Sequence, residues 1–256
     1  MNTDVRTDRP ALDGDPAEVE LRLREQVAAC TLMLNEQGIL GYSGHVSARL
    51  PDGRGFLIQS FDQSRAALTP EVLLVCDPDG RMLSGPDGQR PPAEVYLHAE
   101  ILRVRPDVNA VAHFHHDRTT VFTLADGPQL VPVKNHAVRW ASGIPVHRDP
   151  SHVNSAERGR ALAHTLGAHH AALIRAHGQV VVAENVAALL IDCVHFVENA
   201  EAMYDAVRLG PLLPLNEEEI AMFQQDLKRD RHVAKLWTYY VGRARAQGLL
   251  QPQWSL

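Results

Sequence analysis

The sequence predicts an α/β fold, a mixed sheet held between helical layers. Three observations lead there. Short apolar or alternating stretches form a block, and segments with helical spacing flank it. The chain has 256 residues, 45% of them hydrophobic, which is enough for one well-buried core. No internal repeat and no linker divides it into smaller units.

Each element follows from its own pattern. Residues 1–16 are polar and turn-rich and read as a disordered arm. Residues 17–256 read as one domain with a C-terminal helical extension. From residue 18 to about 37, Val19, Leu23, Val27 and Leu34 recur with helical spacing, and Gly38 ends the run. In GYSGHVSARL (41–50), Val46, Ala48 and Leu50 alternate as a strand after a glycine turn, and PDGRG closes it. Phe56, Leu57 and Ile58 begin the next strand. Residues 73–76 form another, with a hairpin at 77–80. AEVYLHAEILRVRP is an amphipathic helix stopped by Pro106. Residues 108–116 are an apolar strand with histidines at its end. Residues 117–126 look helical, 129–133 strand-like, and 157–167 helical with Gly167 as the stop. Residues 171–183 are a pair of strands broken at His177-Gly178. Residues 185–210 make a helix of about seven turns, and 216–248 are more helix.

Composition narrows the function classes. The net charge is −6 with no block of one sign, which argues against a nucleic-acid or anionic-membrane partner. Three cysteines, odd in number and far apart, read as reduced core residues of a cytoplasmic protein. No apolar run reaches the ~20 residues of a spanning helix, and the first residues do not resemble a signal peptide.

The fourteen histidines matter through their placement. In VAHFHH, His113 and His115 are two apart on a strand, so both project from one face and can converge on one ion. His177 ends a second apolar strand, and Gly178 lets the backbone turn after it. Three imidazoles with an open position suit a catalytic rather than a structural metal. Glu94 opens a helix after two prolines and is the candidate acid, as a ligand or as a general acid/base beside the ion. The bland alternatives are core histidines at strand ends and an ordinary helix-start carboxylate. Most of His98, His116, His169, His170 and His195 are assigned to surface or packing, with His195, inside the long helix, read as a core or interface residue.

Four stretches together resemble the class II aldolase/adducin family: GYSGHVSARL (41–50), LTPEVLLVCDPDGRML (68–83), PPAEVYLHAEILRVRPDVNAVAHFHH (91–116) and ALIRAHGQVVVAENV (172–186). They stand in the family's order, over roughly residues 18 to 210. The resemblance implies a three-layer α/β/α domain with a mostly antiparallel central sheet. It implies one divalent metal ion (Zn, Mn or Fe) on His113, His115 and His177, with Glu94 as the acid/base residue. It also implies a homotetramer with active sites between subunits. The aromatic residues of the C-terminal helices, Phe196, Tyr204, Trp237, Tyr239 and Tyr240, with Met203, point the same way if a neighbouring subunit covers them.

The departures from the family pattern bear on substrate. Members acting on sugar phosphates resemble SGN where this chain has Ser43-Gly44-His45. They resemble TPSG where it has 58–62, IQSFD, and carry paired serines where it has Pro92-Ala93. Loss of three phosphate-handling features argues for a non-phosphorylated carboxylate, which would chelate the ion through hydroxyl and carboxylate oxygens. Decarboxylases of hydroxylated aromatic and pyridine acids in the family also resemble GHVSAR. Decarboxylation is therefore the expected reaction, with Glu94 or His45 delivering the proton. Ser43, Arg49 and Arg118 are candidate substrate-binding residues, and Lys134 and Arg139 further cations. An aldolase on a non-phosphorylated hydroxy-oxo acid, a non-haem iron oxygenase and a non-catalytic adducin-like binding module are the alternatives.

Overall fold

A computed structural model of the chain describes residues 15–256. The expected arm lies outside the described residues, apart from its last two. Those belong to the first helix, α1 (Pro16–Glu36): Asp15 caps it by accepting from the Ala17 amide at 3.1 Å, and Pro16 opens it. There follow β1 (His45–Arg49), β2 (Phe56–Ile58), β3 (Leu74–Cys76), β4 (Met82–Ser84), α2 (Val95–Val104), β5 (Ala110–Phe114) and a single turn, α3 (Asp117–Thr120). After a long connection come β6 (Val146–His147), α4 (Ala156–Leu166), β7 (Ala171–Ile174) and β8 (Gly178–Ala183). The chain closes with α5 (Val186–Ala206), α6 (Glu217–Asp226) and α7 (Arg229–Ala246).

The strands form one sheet in the order β4-β3-β2-β1-β5-β8-β7-β6. Every neighbouring pair is antiparallel except β6 with β7. All residues of β5 and β8 are buried, as expected for central strands covered on both sides. Alternation divides their side chains between two apolar clusters. Ala110, Ala112 and Phe114 join α1 and α5, while Val111 joins α2 and α4. His113 shares the Val111 face, two residues on. It lies opposite His45 of β1 and Val180 of β8 in the register.

Three expectations are corrected. Residues 129–133 are not a strand: Pro128 and Pro132 lack a donor, and Asn199 of α5 holds the segment instead. Its Oδ1 accepts from the Val133 and Lys134 amides and its Nδ2 donates to the Val131 carbonyl. Residues 117–126 hold only α3 and a 3-10 turn, Val121–Thr123. Most of the large C-terminal side chains are covered by their own chain. Phe196, Met203 and Trp237 sit in the α1/α5 cluster, Tyr204 and Tyr240 are half-buried and only Tyr239 of the six is exposed, which removes them as an argument for a second subunit.

Cys30, Cys76 and Cys193 are free and buried. Among the described residues no helix is long and apolar enough to cross a membrane.

Candidate metal centre

Glu94 is the N-cap residue of α2, yet its side chain makes no cap hydrogen bond. The carboxylate turns inward. Oε1 accepts from the Val153 amide at 2.9 Å and lies 3.5 Å from His177 Nε2, while Oε2 lies 3.3 Å from His113 Nε2 and 3.9 Å from His45 Nε2. The ordinary role of a helix-start acid is thus not the one it plays.

His113 is fully buried at the end of β5, and its Nδ1 donates to the Gln179 carbonyl at 2.9 Å. A carbonyl can only accept, so the ring proton sits on Nδ1 and the Nε2 lone pair faces Glu94. Two acceptors then oppose each other at 3.3 Å, and His113 Nε2 is buried without a hydrogen-bond partner, as are both nitrogens of His177. A cation between them resolves that conflict. One ligand atom from each of Glu94, His113, His115 and His177 lies within 4.8 Å of the others, so the four groups fit a divalent ion. His115 completes the set with its Nδ1 3.0 Å from Ser43 Oγ.

The turn that carries His177 departs from expectation. The left-handed residue is Ala176, with φ of 53°, not Gly178. Gly178 is needed for close approach instead, because a Cβ there would lie 2.5 Å from the Phe114 carbonyl and 3.0 Å from His115 Cδ2. Gly44 serves β1 similarly: its φ is 96°, and a Cβ would meet the His113 carbonyl at 2.8 Å. Both glycines let backbone close onto the end of β5, where the imidazoles converge.

Burial keeps the His115 and His177 imidazoles neutral, the form that binds metal. Burial and then the neighbouring His113 and His177 push His115 down to about 3. Burial and His113 also lower His177. Burial works against ionised Glu94, but the adjoining His113 ring and the hydrogen bond from the Val153 amide outweigh it, so its carboxyl lies well below the usual carboxylate range.

Of the sequence-predicted residues, Glu94, His45, Ser43, His113, His115 and His177 come together. The cations do not. Arg49 points to the opposite end of β1, where its guanidinium donates to the carbonyls of Leu102, Arg105 and Val108 at the end of α2. Arg118 pairs with Asp205 and stacks on Tyr204. Lys134 pairs with Glu198, and Arg139 with Glu184 and Asp192. Each is held by a structural partner away from Glu94.

Two residues were missed. His98 is fully buried, 2.7 Å from His45 Nδ1 through its Nε2 and 2.6 Å from Ser47 Oγ through its Nδ1. Its signal was helical spacing, one turn after Glu94 on α2. His152, largely exposed, brings Nδ1 to 3.6 Å from Glu94 Oε1. It lies in a loop without a pattern, and the sequence holds no sign of its position.

The family model described as Class II Aldolase and Adducin N-terminal domain matches residues 24–204. The chain belongs to the class II aldolase and adducin family. It is 27% identical over 232 residues to the 3,4-dihydroxyphthalate decarboxylase of Rhodococcus jostii, a span of 86% of this chain and 95% of that protein. It is 28% identical over 198 residues to the methylthioribulose-1-phosphate dehydratase of Methylococcus capsulatus, 73% of this chain and 93% of that one. Among solved structures it superposes on L-fuculose 1-phosphate aldolase of Glaciozyma antarctica with a TM-score of 0.81 at 18% identity, covering 94% of this chain and 96% of that one. An aldolase II superfamily protein of Pseudomonas syringae gives a TM-score of 0.79 at 22% identity, covering 90% and 95%. At those identities the structural likeness is one of fold. With its family and its relatives, this class II aldolase homologue is a metal-dependent lyase.

Proposed function

We propose that the protein is a decarboxylase of a non-phosphorylated hydroxy-aromatic or heteroaromatic carboxylic acid. The observation that carries this reading is the surroundings of Gly44-His45. The Gly44 carbonyl accepts from Gln59 Nε2 at 3.0 Å and Arg65 Nε at 3.1 Å, and the Val46 amide donates to Gln59 Oε1 at 3.2 Å. These polar groups satisfy one another and do not point at a ligand dianion. The 58–62 stretch buries Gln59 and Ser60, with Ser60 Oγ donating to Gln89, so it serves as a brace. Likeness to a decarboxylase along 95% of its length supports the same choice.

His113, His115 and His177 would hold a zinc, manganese or iron ion with Glu94 beside it, supplying a Lewis acid for the substrate's hydroxyl and carboxylate oxygens. The chain's own residues handle protons and position. When the carboxyl carbon leaves as carbon dioxide, its bonding pair stays on the ring carbon, which must gain a proton. Glu94 and His45, 3.9 Å apart, are the groups placed to carry it. The His98 and Ser47 chain behind His45 fixes that ring. Ser43 reaches the substrate side through His115. Phe61, half exposed under Arg90, is no part of the core and adds apolar surface beyond β2.

The reading extends to the whole chain: one three-layer α/β/α domain from 17 to 256, cytoplasmic, assembled as a homotetramer. Tyr42, Leu209 and Leu213 are 98%, 91% and 88% exposed, and Tyr42 adjoins Ser43, so a neighbouring subunit would cover apolar area near the site. A second reading, carbon–oxygen cleavage or aldol chemistry on a sugar phosphate, draws on the dehydratase relative. A turnover panel separates the two. Carbon dioxide release from an ortho-hydroxy aromatic acid supports decarboxylation; efficient cleavage or dehydration of a sugar phosphate, with no hydroxy acid turned over, contradicts it. Oxygen uptake with an iron-loaded sample would instead mark an oxygenase.

A further inference from the structure

A second group of imidazoles lies where α5 meets the 3-10 segment Asn135–Trp140 and the start of α7. His195 and Glu198 are three residues apart on α5, so one helical face carries both. His136 stacks on His195 with ring centroids 4.0 Å apart and planes at 17°. His232 of α7 lies beside His195, with ring centroids 5.4 Å apart. One ligand atom each from His136, His195 and Glu198 lies within 4.8 Å of the others.

Packing alone does not account for the group. His136 Nε2 is buried 3.5 Å from Glu198 Oε2 and has no hydrogen-bond partner, and His232 Nε2 is buried without one too. Lys134 Nζ, 3.3 Å from the same carboxylate oxygen, answers the charge of Glu198 but leaves those nitrogens unpaired. Its side chain is 39% exposed, so it can swing into water when another cation arrives. Burial and then His195 and Lys134 push His136 down to about 3, and burial takes His195 to about 4 against the opposing charge of Glu198. Both rings are therefore neutral donors at ordinary pH.

We propose that His136, His195 and Glu198, with His232 as the flanking fourth group, form a second metal site that takes a borderline divalent transition ion such as zinc. Nitrogen-rich donors select against magnesium and calcium, which prefer oxygen cages. The donors come from three separate segments, so the ion acts as a clip that fastens α7 to α5 and to residues 135–140. None of these residues belongs to the Glu94 cluster, so the site stands or falls apart from the lyase reading.

The test uses full-length protein in which His113→Ala and His115→Ala together remove the first site. Zinc titration by calorimetry is expected to show one equivalent per chain, and excess zinc to raise Tm by about 5 °C, as binding at a hundred times Kd gives for a chain of this size. Adding His195→Asn should abolish both effects with the circular dichroism spectrum unchanged. A double variant that binds no zinc overturns the proposal, and so does zinc binding that survives His195→Asn. Should the double variant fold poorly, cobalt titration of the wild-type chain beside His195→Asn alone decides: one equivalent fewer in the variant supports the site, and equal stoichiometry in the two refutes it.

Discussion

Glu94 faces three imidazole nitrogens within 3.6 Å and caps nothing, so its removal should cost chemistry rather than helix. Glu94→Gln keeps an acceptor for the Val153 amide but cannot take up or release a proton. It is expected to retain Tm within a few degrees and to lose about 10²–10⁴ in turnover. Activity within a few-fold of wild type would reduce Glu94 to a structural carboxylate. His113→Ala, His115→Ala and His177→Ala should each lose the ion bound at that cluster while circular dichroism stays native. Full retention by any one of them at that site removes its residue from the ligand set. At this scale the sequence was most legible at the end of β5: His113 and His115 stand two apart, and both reach the same cluster although the strand stops at Phe114, one residue short of His115. It was least legible for long cations. Arg49 was read as a substrate anchor, yet its fork is consumed by three backbone carbonyls at the end of α2, a role that depends on packing between elements distant in sequence.

The elements that build the site meet with no spare room. Gly178 opens β8 against the end of β5, and the Cβ of Gly178→Ala would press within 2.5 Å of a backbone carbonyl. A backbone atom cannot rotate away, so β8 or β5 must shift. The expected cost is about 1–3 kcal/mol, read as a lower urea midpoint, with weaker metal retention because His115 lies on the same path. An unchanged midpoint would mean that the strand ends have slack the structure does not show. The helices were legible from their apolar spacing and the central strands from short runs that are apolar throughout. A similar apolar run misled at 129–133, where residues between prolines are held by Asn199 and not by a neighbouring strand. β6 is two residues long and has no pattern to read.

On the scale of the molecule, acid sensitivity follows from its histidines. His98, His115 and His136 are pushed down to about 3, and His170 and His195 to about 4, in each case chiefly by burial. In the unfolded chain they return to about 6.5. Between those values the unfolded chain binds more protons, so stability is full above about 6.5 and falls as pH drops toward 3. The slope is about 1.4 kcal/mol per pH unit for each extra proton bound on unfolding. Urea midpoints at pH 7, 6 and 5 should decline steadily, and a flat series would contradict the burial of these rings. The sheet's antiparallel character came from the family resemblance, since β1, β5 and β8 are neighbours in space but lie far apart in sequence. Assembly is equally indirect: Trp237 and Phe196 are covered within the chain, while Tyr42 and Leu209 are not, and light scattering should give a tetramer's mass. A monomeric mass at micromolar concentration would leave those side chains uncovered.

The central claim is that one divalent ion sits among Glu94, His113, His115 and His177. Anomalous diffraction from crystals of the purified protein, collected above the zinc, iron and manganese edges, tests it most directly. The expected result is a peak about 2.0–2.2 Å from an imidazole nitrogen of each of the three histidines. Density without an anomalous peak there, in protein that turns over its substrate, would contradict it.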